Sequence, residues 1–375
     1  MSEPAHAPAS AGRGSPGLLS IQILRAVAAL GVLAHHTAHE VAAHTGGVIP
    51  FHELVVGAGG VDLFFVISGF VMVYASDRLF GQAGAPRVFF LRRLARIAPL
   101  YWATTAILLV YVYAMHRLFP PPYISAQGVI ASFLFLPYPL PNGLMGPVHA
   151  LGWTLNYEMF FYAVFAAAIM LPRRGAVLAI VTLFAALVAI GRLVALPQPF
   201  AFWCDPMILE FCFGMLVALA YREGVRLPRA ACAVLILAAL AADAASAAWG
   251  PNVPWRALEW GLPGAALVAG LALAKDAARP GAVARAFGSL GDVSYSLYLV
   301  HVLVFPIVRR LIVPWLGLPL MPWVYALALV AASIGAAILS YRAFERPITR
   351  ALQKRIGGVR PARIAFSETQ AVGQG

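Results

Sequence analysis

Long apolar runs recur along the chain, and short polar or proline-rich segments separate them. A helix needs about 20 apolar residues to cross roughly 30 Å of hydrocarbon. Runs of about that length begin near residues 20, 57, 98, 154, 176, 203, 229, 257, 293 and 321. This pattern predicts an all-α polytopic membrane protein with about ten transmembrane helices.

One apolar stretch does not fit the pattern of full spans. Residues 127–136 are too few to cross a bilayer, and the proline-rich stretch 137–147 follows them directly. We therefore interpret this part of the chain as an interfacial or re-entrant segment.

The two ends of the chain differ from its apolar middle. Residues 1–17 and about 356–375 are rich in small and polar residues, which is typical of disorder. The predicted organisation is a disordered cytoplasmic N-terminus at 1–17, a transmembrane domain at 18–347 and a basic, largely disordered cytoplasmic tail at 348–375.

Composition supports the same class of protein. Hydrophobic residues make up 61% of the chain and charged residues only 11%, whereas about 25% is charged in an ordinary soluble domain. The mean hydropathy is +0.81. These values exclude an ordinary soluble domain.

The positions of the basic residues predict the orientation of the helices, because short cytoplasmic loops are enriched in Lys and Arg. Most of the 27 basic residues fall in alternate connections and in the C-terminal tail. The connections carry Arg78, Arg87, Arg92, Arg93, Arg96, Arg173, Arg174, Arg222, Arg226, Arg229, Lys275, Arg279 and Arg285. Both termini are therefore predicted to be cytoplasmic. The net charge of +12 then reflects topology and requires no nucleic-acid partner.

Two ionisable residues stand inside the first apolar run. Arg25 and His36 are 11 positions apart, which on an α-helix is three turns plus about 20°, so they share one face about 16 Å apart. Ionisable groups are costly in a bilayer and usually face a protein interior or a watery cavity. The two residues are predicted to serve two ends of one extended ligand.

Three ionisable residues are predicted to lie at similar depth near the outer face. His36 would lie within about a turn of the outer end of the first helix, and Asp62 and Glu158 near the outer starts of the second and fourth. Such a set suits general-base chemistry, in which an imidazole removes a hydroxyl proton. Asp62 equally suits a structural role, because a carboxylate is stabilised at a helix N-terminus.

A complementary set of arginines is predicted at the inner face. Arg25 lies near the inner end of the first helix, and Arg93 and Arg96 come just before the third apolar run. Residues three apart are neighbours on a helix, and guanidinium forks suit phosphate oxygens. The sequence therefore predicts an anion site for a phosphate-bearing donor. Inner-face arginines also contact anionic lipid, the interpretation we favour for Arg92.

Six sequence elements follow one another between residues 20 and 347. They are Arg25-x10-His36, GVDLFFVISGF at 60–70, Arg93-x-x-Arg96 before PLYW at 99–102, WTLNYEMFFY at 153–162, SYSLYLVH at 294–301 and ERP at 345–347. In this series they resemble the acyltransferase-3 family of integral-membrane acyltransferases, which includes enzymes that O-acetylate bacterial surface glycans.

The resemblance implies an O-acyltransferase that takes an acyl group, usually acetyl, from cytoplasmic acyl-coenzyme A and delivers it to a hydroxyl beyond the membrane. It implies that Arg25, Arg93 and Arg96 serve the phosphates of the donor. His36 would be the catalytic base or a transient acyl carrier, and both routes stay open. Glu158 and Asp62 are candidate catalytic partners, since a nearby carboxylate would fix the tautomer of the imidazole. No metal is expected.

The resemblance also suggests an acceptor and a location. Longer family members carry a soluble esterase-like domain after the last span, whereas a short basic tail follows Glu345 here. We therefore expect a stand-alone enzyme of the bacterial plasma (inner) membrane, acting on exopolysaccharide or lipopolysaccharide O-antigen. Single-domain relatives also modify small hydroxylated molecules. Membrane lipid, the glycan, a second copy of the chain or polysaccharide-assembly machinery are the expected partners.

Other interpretations compete with this one. A transporter or flippase of a glycan or lipid-linked precursor also needs intramembrane charges, although transporters often show repeated halves. A non-catalytic scaffold would leave the buried charges unexplained. A metal site near His35, His36 and His39 is a weaker alternative. His301 could line the same cavity or pair with another helix, and we slightly favour the structural role. Glu345 is interpreted as an ion-pair element beside Arg342 and Arg346.

Overall fold

The structure of the protein is a computed structural model. It describes residues 16–45, 55–115, 124–140, 143–249, 256–275, 281–312 and 322–356. Most of the residues predicted to be disordered, 1–15 and 357–375, lie outside the described residues, as does Arg279. Residues 16 and 17 were also predicted to be disordered, but they belong to a helix that begins at Pro16.

The described residues form helices and isolated β-bridges, without a sheet. The helices are α1 (Pro16–Thr45), α2 (Gly60–Ala75), α3 (Ala85–Met115), α4 (Ala126–Phe133), α5 (Trp153–Ala168), α6 (Arg173–Leu193), α7 (Phe200–Trp203), α8 (Ile208–Arg222), α9 (Arg229–Trp249), α10 (Leu262–Ala272), α11 (Ala282–Ile312), α12 (Pro322–Ser340) and α13 (Arg346–Arg355). Two π-helical turns, Ala257–Gly261 and Tyr341–Glu345, precede α10 and α13.

The fold class is the predicted one, an all-α polytopic membrane protein. Within the described residues, eight helices are long and apolar enough to cross a membrane. The fourth and eighth predicted spans are shorter, because α5 has 16 residues and the apolar helix around α10 covers Ala257–Ala272. The chain is already buried where α5 begins, at Leu151 and Gly152.

The segment predicted to be interfacial or re-entrant contains a short helix, as its length required. In α4, the side chain of Ser125 accepts a hydrogen bond from the backbone N–H of Gly128, at 2.9 Å, and caps the helix. Ser132 then accepts a hydrogen bond from the N–H of Val148, at 2.8 Å. This hydrogen bond holds Val148, directly after the proline-rich segment, against α4.

Three helix boundaries differ from the predictions. α3 begins at Ala85 and α11 at Ala282, each about three turns before its apolar run, so α3 includes Arg93 and Arg96. α1 continues to Thr45, so the prediction that His36 lies within a turn of its outer end is wrong. Glu40 anchors this extension by accepting hydrogen bonds from Arg309 and Tyr325, each at 3.0 Å.

Glycines set the closest helix packing. A Cβ atom on Gly214 of α8 would lie 1.8 Å from the carbonyl oxygen of Val66 in α2. A Cβ atom on Gly291 of α11 would lie 2.0 Å from the carbonyl oxygen of Gln22 in α1. Small residues let helix backbones approach in this way. The second contact places α11 directly beside the helix that carries Arg25 and His36.

Several basic connections meet at one end of the bundle. Asp77, after α2, pairs with Arg173 at 2.5 Å and with Arg222 at 3.6 Å. Leu227 and Ala274, which lie in two of the basic connections predicted to share this end, form an isolated β-bridge. The cytoplasmic orientation of this end stays a prediction. The tail predicted from 348 onwards begins as a helix, because α13 continues to Arg355.

Candidate functional site

A cavity of about 130 Å³ lies between α1, α2, α3, α5 and α11. Apolar side chains of α2 line one part of it. Its polar lining consists of Arg25, Ser68, Arg93, Arg96, Thr154, Glu158, Tyr162, Ser294, Tyr295 and Tyr298. The structure thus brings the three arginines of the sequence prediction to one cavity, which we call the arginine cavity.

Arg25 is held by a neutral partner. Its Nε and Nη2 atoms donate to the Ser294 hydroxyl of α11, at 3.3 and 3.1 Å. A hydroxyl orients a guanidinium group without neutralising it. The positive charge of Arg25 therefore remains available to an anion in the cavity.

Arg96 has a carboxylate partner instead. It donates a hydrogen bond to Glu345, which is only 1% exposed and also accepts from Ser296 at 2.5 Å. The sequence interpretation placed Glu345 beside Arg342 and Arg346. The structure pairs it with Arg96 because the π-helical turn after α12 directs Glu345 towards α3 and α11.

Arg93 is the least satisfied of the three arginines. Its guanidinium group lies 5.6 Å from the centre of the Phe89 ring. Its buried Nε atom has no hydrogen-bond acceptor among the described residues. A buried donor without a partner is costly, so Arg93 is the position at which an incoming anion would gain most.

Glu158 lies in the arginine cavity. It accepts a hydrogen bond from Ser68 of α2, and Arg93 and Arg25 are the cations that act on its carboxyl group. The sequence placed Glu158 at the depth of His36. The structure instead places Glu158 in the lining that Arg25, Arg93 and Arg96 share.

His36 is paired with another histidine. Its Nδ1 atom lies 2.9 Å from Nε2 of His301, and the two rings stack with centroids 5.1 Å apart. His301 is 1% exposed, whereas His36 is half-buried. We call this arrangement the histidine pair. The sequence interpretation left His301 as a structural residue, and a carboxylate was expected in its place.

A spacing signal for His301 exists in the sequence. Ser294 and His301 are seven positions apart in the SYSLYLVH element, which is two turns less about 20°, so they share one face of α11. Arg25 and His36 share one face of α1 in the same way. The structure packs these two faces together, so that Arg25 contacts Ser294 and His36 contacts His301.

Tyr298 separates the arginine cavity from the histidine pair. It lines the cavity and lies one turn before His301, about 4.5 Å along the helix axis. Its hydroxyl donates to the carbonyl oxygen of Leu151 at 3.0 Å and lies 2.9 Å from the Thr154 hydroxyl. The α1–α11 pair therefore carries the arginine cavity, then Tyr298, then the histidine pair, in one line.

Asp62 belongs to a different cluster. Its two carboxylate oxygens accept from Nε and Nη2 of Arg256, at 2.9 and 2.7 Å. Glu210, also fully buried, lies beside it. The sequence interpretation did not identify Arg256 or Glu210. Asp62 is thus tied to the π-helical turn before α10, and the structure does not bring it to His36.

The alternative of a metal site has no supporting cluster of ligand residues in the part of the chain that the structure describes. There, no three His, Cys, Asp or Glu side chains lie close enough together to hold a metal ion. His39 instead lies with its Nδ1 atom 2.9 Å from the carbonyl oxygen of His35, one turn earlier in α1.

Known proteins resemble the chain over most of its length. Residues 18–342 match the acyltransferase domain of the acyltransferase-3 family. The exopolysaccharide production protein ExoZ of Rhizobium meliloti (strain 1021) is 36% identical over 301 residues, which are 80% of this chain and 92% of that protein. The acyltransferase MdmB of Streptomyces mycarofaciens is 28% identical over 368 residues, 90% of this chain and 93% of that protein. No solved structure matches the chain.

Proposed function

Because this chain belongs to the acyltransferase-3 family, we propose that it transfers an acyl group, with acetyl favoured, from acyl-coenzyme A to a hydroxyl of an extracytoplasmic glycan. The similarity to an exopolysaccharide production protein supports a polysaccharide acceptor. The observation that carries the proposal is the line of arginine cavity and histidine pair along α1 and α11.

The arginine cavity is the proposed donor site. Coenzyme A carries several phosphate groups at one end and a thioester at the end of a linear arm. Guanidinium groups bind phosphate oxygens well, and Nε of Arg93, in the cavity wall, has no acceptor among the described residues. The cavity is smaller than the whole donor, so only the part of the donor that carries phosphate groups would lie against its arginines.

The histidine pair is the proposed reaction site. His36 and Arg25 are about 16 Å apart along α1, a separation that a linear arm can bridge. In the proposed transfer, His36 accepts the proton of the acceptor hydroxyl while the hydroxyl oxygen attacks the thioester carbonyl carbon. The carbon–sulfur bond breaks, and the departing thiolate takes the proton from His36. A transient acyl-histidine would use the same residue.

Glu158 and Asp62 take supporting roles in this proposal. Glu158 offsets part of the arginine charge in the cavity and is oriented by Ser68. Asp62 fastens the start of α2 to Arg256 before α10. Neither residue then removes the acceptor proton, because neither is placed beside His36.

The proposed orientation puts the arginine cavity towards the cytoplasm, where acyl-coenzyme A is made, and the histidine pair towards the outside. The cluster of basic connections at the arginine end supports this assignment. We place the protein in the plasma (inner) membrane of a bacterium, since short basic loops there face the cytoplasm.

Acyl transfer by the purified protein tests the proposal. The protein in lipid nanodiscs is given radiolabelled acetyl-coenzyme A and oligosaccharides prepared from exopolysaccharide. Label is expected in the oligosaccharide with wild type and with His39→Ala, whose side chain is exposed one turn from His36. His36→Ala is expected to lower the rate by at least about 10²-fold.

Two results would overturn the proposal. The first is equal transfer by wild type and His36→Ala. The second is no labelled glycan in any preparation, together with movement of the unmodified glycan across proteoliposomes that contain the protein, which would favour the transporter alternative.

A further inference from the structure

Two hydrogen bonds connect His36, His301 and the backbone of α11. Nδ1 of His301 lies 2.8 Å from the carbonyl oxygen of Leu297, one turn earlier in the same helix. A carbonyl oxygen can only accept a hydrogen bond, so Nδ1 of His301 carries the hydrogen. This contact determines which nitrogen of His301 is protonated.

The tautomer of His36 follows from that of His301. A neutral imidazole carries one hydrogen, so Nε2 of His301 is left as an acceptor. His301 is 1% exposed and pairs with no carboxylate of the described structure, so burial opposes a second proton on it. Nδ1 of His36, 2.9 Å from that acceptor, is then the donor. The hydrogen of His36 is thereby placed on Nδ1, and its Nε2 keeps a free lone pair.

We infer that His301 is a positioning residue that fixes the tautomer and orientation of His36, so that Nε2 of His36 is the reacting atom. This inference rests on the proposed function and names the atom of His36 that takes part in acyl transfer. As a base, Nε2 accepts the hydroxyl proton. As an acyl carrier, the same Nε2 attacks the thioester carbonyl carbon, and the carbon–sulfur bond breaks as the thiolate leaves.

The surroundings of the two rings match this division of roles. His301 is enclosed and makes a T-shaped contact with the Phe305 ring, with the ring centroids 5.5 Å apart, and His36 is half-buried. One nitrogen of His36 is thus anchored in the protein while the ring remains partly accessible. When Nε2 takes a proton, the Nδ1 hydrogen stays bonded to His301, so the pair stabilises the imidazolium through a hydrogen bond.

Two substitutions at position 301 separate positioning from packing. In His301→Gln, the amide oxygen can accept from Nδ1 of His36, and the amide nitrogen can donate to Leu297. His301→Leu fills similar space without either polar atom. We expect His301→Gln to keep kcat within about tenfold of wild type. His301→Leu should lower kcat by about 10²-fold with an unchanged KM for the donor.

Equal kcat values for folded His301→Gln and His301→Leu would overturn the positioning role, whether both are active or both inactive. Thermal unfolding of each variant in nanodiscs establishes that it is folded. His149→Leu is the matched control, because His149 is another buried histidine that contacts the α11 backbone, with Nε2 3.1 Å from the Leu299 carbonyl oxygen. It should change stability and leave the donor KM and kcat close to wild type.

Nitrogen-15 NMR of histidine-labelled protein tests the tautomer without any activity measurement. The His36 signals are those that disappear in His36→Ala. A protonated Nδ1 and an unprotonated Nε2 are expected near neutral pH, and the opposite tautomer would overturn the inference. If the expected tautomer is found but wild type and His36→Ala transfer acyl groups equally, the proposed function fails and the assignment of the hydrogen stands.

Discussion

The arginine cavity and the histidine pair lie on the same two helices but are built from different interactions. Three guanidinium groups and Glu158 line the cavity, and Glu345 pairs with Arg96 from outside the lining, so charge dominates. In the histidine pair, two rings meet through one directional hydrogen bond and the partner of His36 is uncharged. The first arrangement suits holding an anion, and the second suits moving a proton or an acyl group.

The comparison also separates the arginines from one another. Arg96 is paired with buried Glu345, whereas Arg93 has a buried nitrogen without an acceptor in the described structure. Arg96 is thus committed to holding α3 against the π-helical turn that follows α12. Arg93 is the arginine with unused hydrogen-bonding capacity. In the sequence, Arg93 and Arg96 are two equivalent arginines of one element. Only their hydrogen-bond partners in the structure distinguish them.

The largest expected effect is on folding, from Arg96→Ala. This change leaves the Glu345 carboxylate buried without its cation, which should lower the free energy of unfolding by about 3 kcal/mol. Thermal unfolding in detergent measures it. Arg350→Ala, an exposed arginine of α13, is the control and should change little. An unchanged Tm for Arg96→Ala would show that Arg96 is free for the donor.

Arg93→Ala should affect donor binding rather than folding. Losing a hydrogen bond to a charged group costs about 1.5–3 kcal/mol, so the KM for acyl-coenzyme A should rise about 10- to 100-fold. Steady-state kinetics at saturating acceptor measure it, and kcat should stay within about threefold. Arg92→Ala, the neighbouring residue of α3, should raise KM less. A larger effect at Arg92 would move the anion site away from the cavity.

Asp62→Asn tests whether Asp62 is part of the histidine machinery. The substitution weakens two hydrogen bonds to Arg256, so we expect about 1–2 kcal/mol lower stability and nearly normal transfer. Arg256→Gln should have a similar effect, and the double variant should be less than additive because the two side chains form one pair. A 10²-fold loss of kcat at unchanged Tm would instead assign Asp62 a direct role.

Glu158→Gln should have the smallest effect. The amide keeps an oxygen that can accept from Ser68, but it removes a negative charge from the cavity. The donor should then bind slightly more tightly, with KM lower by about threefold. Ser68→Ala is the companion variant, since it keeps the charge and removes the hydrogen bond. A kcat reduced by 10²-fold in Glu158→Gln would restore Glu158 as a general base.

Much of the fold could be predicted from hydropathy alone. Each predicted apolar run overlaps a helix, and the short stretch 127–136 overlaps the short helix α4. Helix starts were predicted less well, since α3 and α11 begin with polar, arginine-containing turns that a hydropathy threshold leaves out. The depth prediction for His36 failed for the same reason, because α1 continues beyond it through a segment held by Glu40.

The candidate site was predictable only in part. The spacing of Arg93 and Arg96, with Arg25 inside the first span, was enough to propose one anion site, and the structure brings these residues to one cavity. The partners of His36 and Asp62 were not predictable in this way. His301 is 265 positions from His36, and Arg256 is 194 from Asp62. A single sequence contains no local pattern that relates residues so far apart.

The sequence by itself determined the class of the protein, its helical segments and the residue types available for chemistry. Hydrophobicity and helical periodicity are local properties, so they can be read from neighbouring residues. Only the tertiary structure decided that Glu158 joins the arginines, that Asp62 joins Arg256 and that His36 meets His301. Those pairings depend on which helix faces pack together, and close contacts such as that of Gly291 with Gln22 determine this across the whole chain.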